Sequence, residues 1–207
     1  MLEAARFGPS ASLNACDIDL DGRVDLVVCG VLKGETDDTS NGVLWNRESG
    51  WALDDTLPWL RRSDVITTLW GDVDGNGWPD VFLCREGVNE LWMQREGVWT
   101  RDDAISAADG SPLRTVDGAL FDADHDGDLD IFSVNADGPN VLLNNNRDGS
   151  WRIVGAEEGL PSPNRASRQV LVADLDRDRD LDLVIINESP PHEVYVNDRL
   201  WRYEAAP

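Results

Sequence analysis

Residues 122–130 read Asp-Ala-Asp-His-Asp-Gly-Asp-Leu-Asp, a carboxylate at every odd position with glycine sixth. Gly118-Ala119-Leu120-Phe121 precedes this stretch and Ile131-Phe132-Ser133-Val134 follows it. Short apolar, β-prone flanks of this kind predict two strands joined by an acidic loop. The same order recurs as DIDLDGRVD at 17–25, DVDGNGWPD at 72–80 and DLDRDRDLD at 174–182. The loops begin 55, 50 and 52 residues apart. Self-similarity at a period near fifty marks a repeat architecture, and it decides the fold before any single segment does.

Each repeat carries two further landmarks. Val43-Leu44-Trp45, Leu91-Trp92-Met93, Val141-Leu142-Leu143 and Val194-Tyr195-Val196 read as third strands. Polar turns follow, ending on Trp51, Trp99, Trp151 and Trp201, which open a fourth strand and are expected to pack within the blades. Four short strands per fifty residues is the pattern of propeller blades. The fold class is therefore all-β, a β-propeller of four four-stranded blades at approximately 8–53, 63–102, 113–154 and 166–204 within a single domain, 1–207. The units look whole, and a closed four-bladed ring is favoured because closure removes exposed strand edges. A fragment of a larger propeller is the alternative. Asp102-Asp103-Ala104-Ile105 and Ala156 through Pro161 hint at helical turns between blades.

The loops have the chemistry of a hard-cation site. A flexible divalent cation needs six to eight oxygens at about 2.3–2.6 Å. Side chains at positions 1, 3 and 5 of such a loop converge, the carboxylate at position 9 closes the site, and the backbone carbonyl at position 7 adds an oxygen. In the first loop these residues are Asp17, Asp19, Asp21, Arg23 and Asp25, and in the second Asp72, Asp74, Asn76, Trp78 and Asp80. The third supplies Asp122, Asp124, Asp126, Asp128 and Asp130, the fourth Asp174, Asp176, Asp178, Asp180 and Asp182. Position 12 of an EF-hand is glutamate, but here it is Val28, Leu83, Ser133 and Ile185, within apolar runs. Zinc or iron would want histidine or thiolate, and the two histidines, His125 and His192, are far apart in sequence. His125, at position 4, is expected to be solvated. Calcium, about four ions, is the cofactor predicted. The four sites are unequal. The first and third are complete, with Gly22 and Gly127 at position 6; the second has one charge fewer at Asn76; the fourth carries Arg179 where a positive φ is needed, predicting a distorted or weak site.

Composition supports this assignment. Forty acidic residues against eighteen basic ones leave a net charge of −22, which repels nucleic acid and anionic lipid. Seventeen of those acids are loop aspartates, and four Ca2+ would bring the charge to about −14. Nine tryptophans and 41% hydrophobic residues argue against a disordered acidic chain. No apolar run is long enough to insert into a membrane, and Met1 to Arg6 lack the order of a signal peptide. Cys29 and Cys84 hold equivalent positions and are expected to be buried thiols, and with Cys16 they are too few for a disulfide framework.

The stretches GDVDGNGWPDVFLCREGVNELW and FDADHDGDLDIFSVNADGPNVLLNNNRDGSW resemble the FG-GAP/VCBS repeat of integrin-α-like propellers, in the flavour of the UnbV and cartilage-acidic-protein group. The resemblance covers essentially the whole chain. It implies calcium between the first two strands of each blade, and a surface, adhesive or structural role more often than catalysis. No nucleophile elbow, zincin motif or phosphate loop is present, so the chain is not expected to be an enzyme, a glycan-active one being the least favoured reading. The expected function is an extracellular, cell-surface or periplasmic calcium-binding module. It would take a protein or glycan ligand on its inter-blade loops, or else build a filament or surface assembly by self-association. Trp59, near Arg61 and Arg62, is the best exposed-aromatic candidate for a ligand contact, although packing between the first two blades is the preferred reading for it.

Overall fold

The computed structural model describes residues 6–32, 39–109, 112–155, 160, 165–198 and 202–206. They form four antiparallel four-stranded sheets, each built from consecutive strands. Blade 1 contains β1 (Arg6–Cys16), β2 (Asp25–Leu32), β3 (Thr39–Arg47) and β4 (Gly50–Asp54). Blade 2 contains β5 (Val65–Gly71), β6 (Asp80–Arg85), β7 (Glu90–Arg95) and β8 (Val98–Asp102). Blade 3 contains β9 (Thr115–Phe121), β10 (Asp130–Asn135), β11 (Val141–Asn145) and β12 (Trp151–Val154). Blade 4 contains β13 (Ser167–Ala173), β14 (Asp182–Asn187), β15 (Glu193–Asn197) and β16 (Tyr203–Ala205). A 3-10 turn, Pro58–Arg61, and a short helix α1 (Asp103–Asp109) sit between blades. The second hinted helical turn, at 156–161, lies largely outside the described residues.

In every blade the ninth loop residue pairs with the residue just before the loop. The pairs are Cys16 with Asp25, Gly71 with Asp80, Phe121 with Asp130 and Ala173 with Asp182. The acidic loop is thus a hairpin connection whose mouth is fixed by the ladder, and the alternation of the second strand then sorts its side chains between two blade faces.

That sorting builds the core at the junctions between blades. Val27 and Cys29 of blade 1 meet Val81 and Leu83 of blade 2 in one apolar cluster, with Ile18, Val43, Trp59 and Leu60. Phe82 and Cys84 of blade 2 meet Ile131 and Leu143 of blade 3 in the next. Phe132 and Val134 of blade 3 meet Leu183 and Ile185 of blade 4 in the third. Consecutive first strands pack together, β1 on β5, β5 on β9 and β9 on β13, while no comparable junction joins β13 to β1 among the described residues. The sheets do not close into a ring. Edge protection favoured a closed ring, but among the described residues the outward faces of blades 1 and 4 have no neighbouring blade.

The tryptophans divide accordingly. Trp59 is buried and stacks edge-on against Trp70 and Trp99, with ring centroids 5.5 and 5.7 Å away, so it packs the first junction and is no exposed anchor. Trp151 is half-buried and its Nε1 donates to Asp102 Oδ2 at 3.0 Å, tying blade 3 to blade 2. Trp51 departs from the packing expected of it: it lies exposed on β4, the outer strand of blade 1. Trp201 lies outside the described residues. Cys29 and Cys84 are buried and Cys16 half-buried, and none of the three is in a disulfide. Burial pushes the thiols of Cys16 and Cys29 up to about 12, so neither ionises near neutrality.

Candidate metal centres

The structure brings together loop positions 1, 3 and 9 in all four repeats. Asp17, Asp19 and Asp25 each place a carboxylate oxygen within 4.8 Å of the other two, as do Asp72, Asp74 and Asp80; Asp122, Asp124 and Asp130; and Asp174, Asp176 and Asp182. Three carboxylates at that separation repel one another unless a cation or protons compensate. The donor set is oxygen throughout, which suits calcium and not zinc. Within these triads, buried Oδ1 atoms of Asp19 and Asp122 accept no hydrogen bond from the described residues. A buried acceptor without a donor is costly, and a cation at the triad removes that cost.

Position 9 also has a second task. One oxygen of Asp25, Asp80, Asp130 and Asp182 accepts the backbone N–H of loop position 2, from Ile18, Val73, Ala123 and Leu175, at 2.7–3.1 Å. The other oxygen accepts a backbone N–H from the third strand, Asn46, Gln94, Asn145 or Asn197, at 2.7–2.9 Å. These four aspartates are buried and staple loop, second strand and third strand at one point. Burial outweighs the donated hydrogen bonds and raises the carboxyl of Asp25, and it pushes those of Asp80 and Asp130 up to about 6.

The loop backbone turns twice through the left-handed region. Position 6 has φ +85, +89 and +88 at Gly22, Gly77 and Gly127, and φ +80 at Arg179. The fourth loop therefore keeps the shape of the other three in spite of its arginine, and Arg179 N–H still reaches Asp174 Oδ2 at 3.3 Å, as the glycines do in their loops. Position 4 is the second such turn, with Leu20 at φ +57, Gly75 at +70, His125 at +63 and Arg177 at +71. The sequence gives little sign of this, since only one of the four is glycine.

Positions 5 and 7 do not join the side-chain triads. The position 5 side chain instead accepts the N–H of position 7: Asp21 from Arg23, Asn76 from Trp78, Asp126 from Asp128 and Asp178 from Asp180, at 2.8–3.1 Å. At position 7, Asp128 and Asp180 turn their carboxylates inward and are buried. His125 Nε2 lies 2.7 Å from Asp180 Oδ1, so the histidine expected to be solvated bridges the third and fourth loops. Burial, together with the adjacent Asp126, pushes Asp128 up to about 7, while Arg147 Nε sits 3.2 Å from its Oδ2. In the first loop Arg47 Nη1 bonds Asp19 Oδ2 and lies 3.5 Å from Asp21 Oδ2, a guanidinium already placed among the carboxylates. Between the second and third loops lies a cavity of about 460 Å3 lined by Asp72, Asp74, Asp102, Asp128, Arg147 and Trp151.

The amide side chain at the end of each third strand is the feature that motif reading passed over. Gln94, Asn145 and Asn197 each donate a side-chain amide hydrogen to the position 2 carbonyl of the preceding blade, Ile18, Val73 or Ala123, at 2.9–3.0 Å. The signal was available: an Asn or Gln stands at the end of every third strand. Its meaning is not, because the acceptor lies more than seventy residues away.

Three overlapping segments, 17–83, 72–133 and 122–185, match the FG-GAP-like repeat, and together they span most of the chain. The chain belongs to the FG-GAP-like repeat family. Each match starts on one acidic loop and runs through the next, so all four loops are covered. A 67-residue segment of this FG-GAP-like protein is 39% identical to cartilage acidic protein 1 of Homo sapiens, 37% to that of Mus musculus and 34% to that of Xenopus tropicalis. That segment is 32% of the chain but 10% of each relative. The resemblance read from the loop motifs is thereby borne out, including its cartilage-acidic flavour.

Proposed function

We propose that the chain is a calcium-loaded, non-enzymatic binding or structural module that works outside the cell or at its surface, with one Ca2+ held in each acidic loop. The observation that carries this is the fourfold recurrence of the same oxygen-only triad at positions 1, 3 and 9. An acidic surface turn would not need to bring the same three carboxylates together in four sheets. Membership of the FG-GAP-like family and the likeness to cartilage acidic protein 1 support the extracellular setting, where millimolar calcium fills loops of this charge. No described helix is long and apolar enough to cross a membrane. A protein or glycan partner would bind the loops between blades, and the carboxylate-lined cavity between the second and third acidic loops offers it a further concave surface. Self-association into a filament or surface assembly is the second reading, favoured by the uncovered faces of the end blades.

Metal analysis of the purified chain, with thermal melts in calcium and in chelator, tests the central claim. About four Ca2+ per chain and a markedly lower melting temperature in chelator are expected, since a ligand bound only by the folded state stabilises it. Negligible bound metal with an unchanged melt would overturn it.

A further inference from the structure

Each internal junction follows one rule, and among the described residues blades 1 and 4 present its unmatched halves. The second-strand residues two and four places after the loop point to the following blade, and Val27, Cys29, Phe82, Cys84, Phe132 and Val134 are all buried there. In blade 4 the same places hold Val184, half-buried, and Ile186, 36% exposed. Position 2 of the loop is buried as Ile18, Val73 and Ala123, yet in the fourth loop it is Leu175, 46% exposed. Leu171 on β13 is 59% exposed. At the other end, Leu13 is 61% exposed, whereas its equivalents Thr68 and Val170 are buried by the preceding blade. Leu26 is half-buried where Val81, Ile131 and Leu183 are fully covered, although Val28 beside it is shielded.

The polar contacts are divided in the same way. Asn46 occupies the place of Gln94, Asn145 and Asn197, but among the described residues its amide donates to Val24 O of its own loop, at 3.3 Å, and to no preceding blade. The Leu175 carbonyl occupies the place of the acceptors Ile18, Val73 and Ala123, and among the described residues no third-strand amide reaches it. Blade 1 thus carries the donor half of a junction and blade 4 the acceptor half, each beside an apolar patch. Exposed contiguous apolar surface of this kind marks an interaction site, and the chain's own junctions show what covers it.

We propose that the outward face of blade 4 docks on the outward face of blade 1 of a second copy, head to tail, reproducing the internal blade junction. Asn46 of one copy would donate to the Leu175 carbonyl of the other, and Leu13 and Leu26 would pack against Leu171 and Ile186. Arg23 and Arg177 would come near each other at the loops, but Arg23 is already bonded to Asp21 at 2.7 Å. The contact is heterologous, so it closes a ring or extends as a filament according to its rotation. It rests on the self-association reading of the function and does not depend on which cation the loops hold.

Sedimentation velocity of the full chain over a range of concentrations, in calcium-containing buffer at physiological ionic strength, is the direct test, with circular dichroism confirming that the chain is folded. A concentration-dependent oligomer is expected. Leu13→Glu and Ile186→Glu alter residues on opposite faces that are open in the single copy, so both variants should keep the folded spectrum. Each should weaken association at least about tenfold, because the new carboxylate is buried without a partner. Mixing the two variants should restore one junction and yield a one-to-one pair, since each retains the face that the other has lost. A chain that stays monomeric at every concentration overturns the proposal. So does an oligomer insensitive to both substitutions, or a mixture no better associated than either variant alone.

Discussion

His125 Nε2 stands 2.7 Å from Asp180 Oδ1, so position 4 of one acidic loop is bonded to position 7 of the next. The carboxylate is buried and the imidazole partly exposed, which makes the pair a latch between blades 3 and 4. Removing it with His125→Ala should cost about 1 kcal/mol, the usual net worth of one hydrogen bond. His125→Gly should lose less, because glycine relieves the left-handed backbone at φ +63. Urea melts of the two variants check both the cost and the order; an alanine variant as stable as the parent would remove the latch from the account.

Arg179 bears the strain that glycine avoids at position 6. It adopts φ +80, and its side chain is exposed. Arg179→Gly should stabilise the chain by about 1 kcal/mol and tighten calcium at the fourth loop. Equilibrium denaturation and calorimetric titration of the variant read the two effects separately.

Asp130 should cost more to replace in calcium than without it. Asp130→Ala leaves the buried N–H groups of Ala123 and Asn145 without their acceptor and should cost about 2–4 kcal/mol in either state. Asp130→Asn keeps an oxygen for one of those N–H groups but sets an amide NH2 against the other, so in chelator it should destabilise by about 1–3 kcal/mol. In calcium it also removes a charged ligand and should cost more. Melts of both variants in both conditions check the difference; an asparagine variant equally destabilised in both would separate Asp130 from the cation.

The pH dependence should reverse between the calcium-free and the calcium-loaded fold. Asp80 and Asp130 sit at about 6 in the cation-free fold, against about 3.9 in an unfolded chain. Between those values the folded chain holds protons that the unfolded chain has released, so the cation-free fold loses stability as pH rises through this window. Relief of repulsion among forty acids acts in the same direction. With calcium bound, protons compete for its ligands and acidification should destabilise. Melting temperatures in chelator are therefore expected to be higher at about pH 5 than at about pH 7, and the order in calcium is expected to be the opposite.

Much of this was legible before any coordinates, for a physical reason. A carboxylate at positions 1, 3 and 9 is a local pattern, and so is the alternation of Ile131, Phe132, Ser133 and Val134 that sorts side chains between blade faces. What stayed hidden is non-local or conformational. The acceptor of the Asn145 amide is Val73, and the partner of His125 is Asp180; neither pairing has a signature within one repeat. Leu20 and Arg177 give no composition cue to their positive φ, because the loop imposes it from both sides. Ring closure was inferred from edge protection, yet β1 and β13 are brought together by no local rule. Trp51 matches Trp99 in sequence but lies near the start of an outer strand and stays exposed there.

The amide bridge from each third strand to the preceding loop has a thermodynamic consequence. Position 2 of a loop is bonded on one side to its own ninth residue and on the other to the next blade, as at Ile18, with Asp25 and Gln94. Ordering one loop around an ion therefore prepares the seat of the blade after it, and that blade in turn holds the next loop. Filling of the loops should follow nearest-neighbour statistics, as in a one-dimensional chain of coupled units. A calcium titration would then be steeper than four independent sites allow, and damage to an inner loop would spread to both of its neighbours.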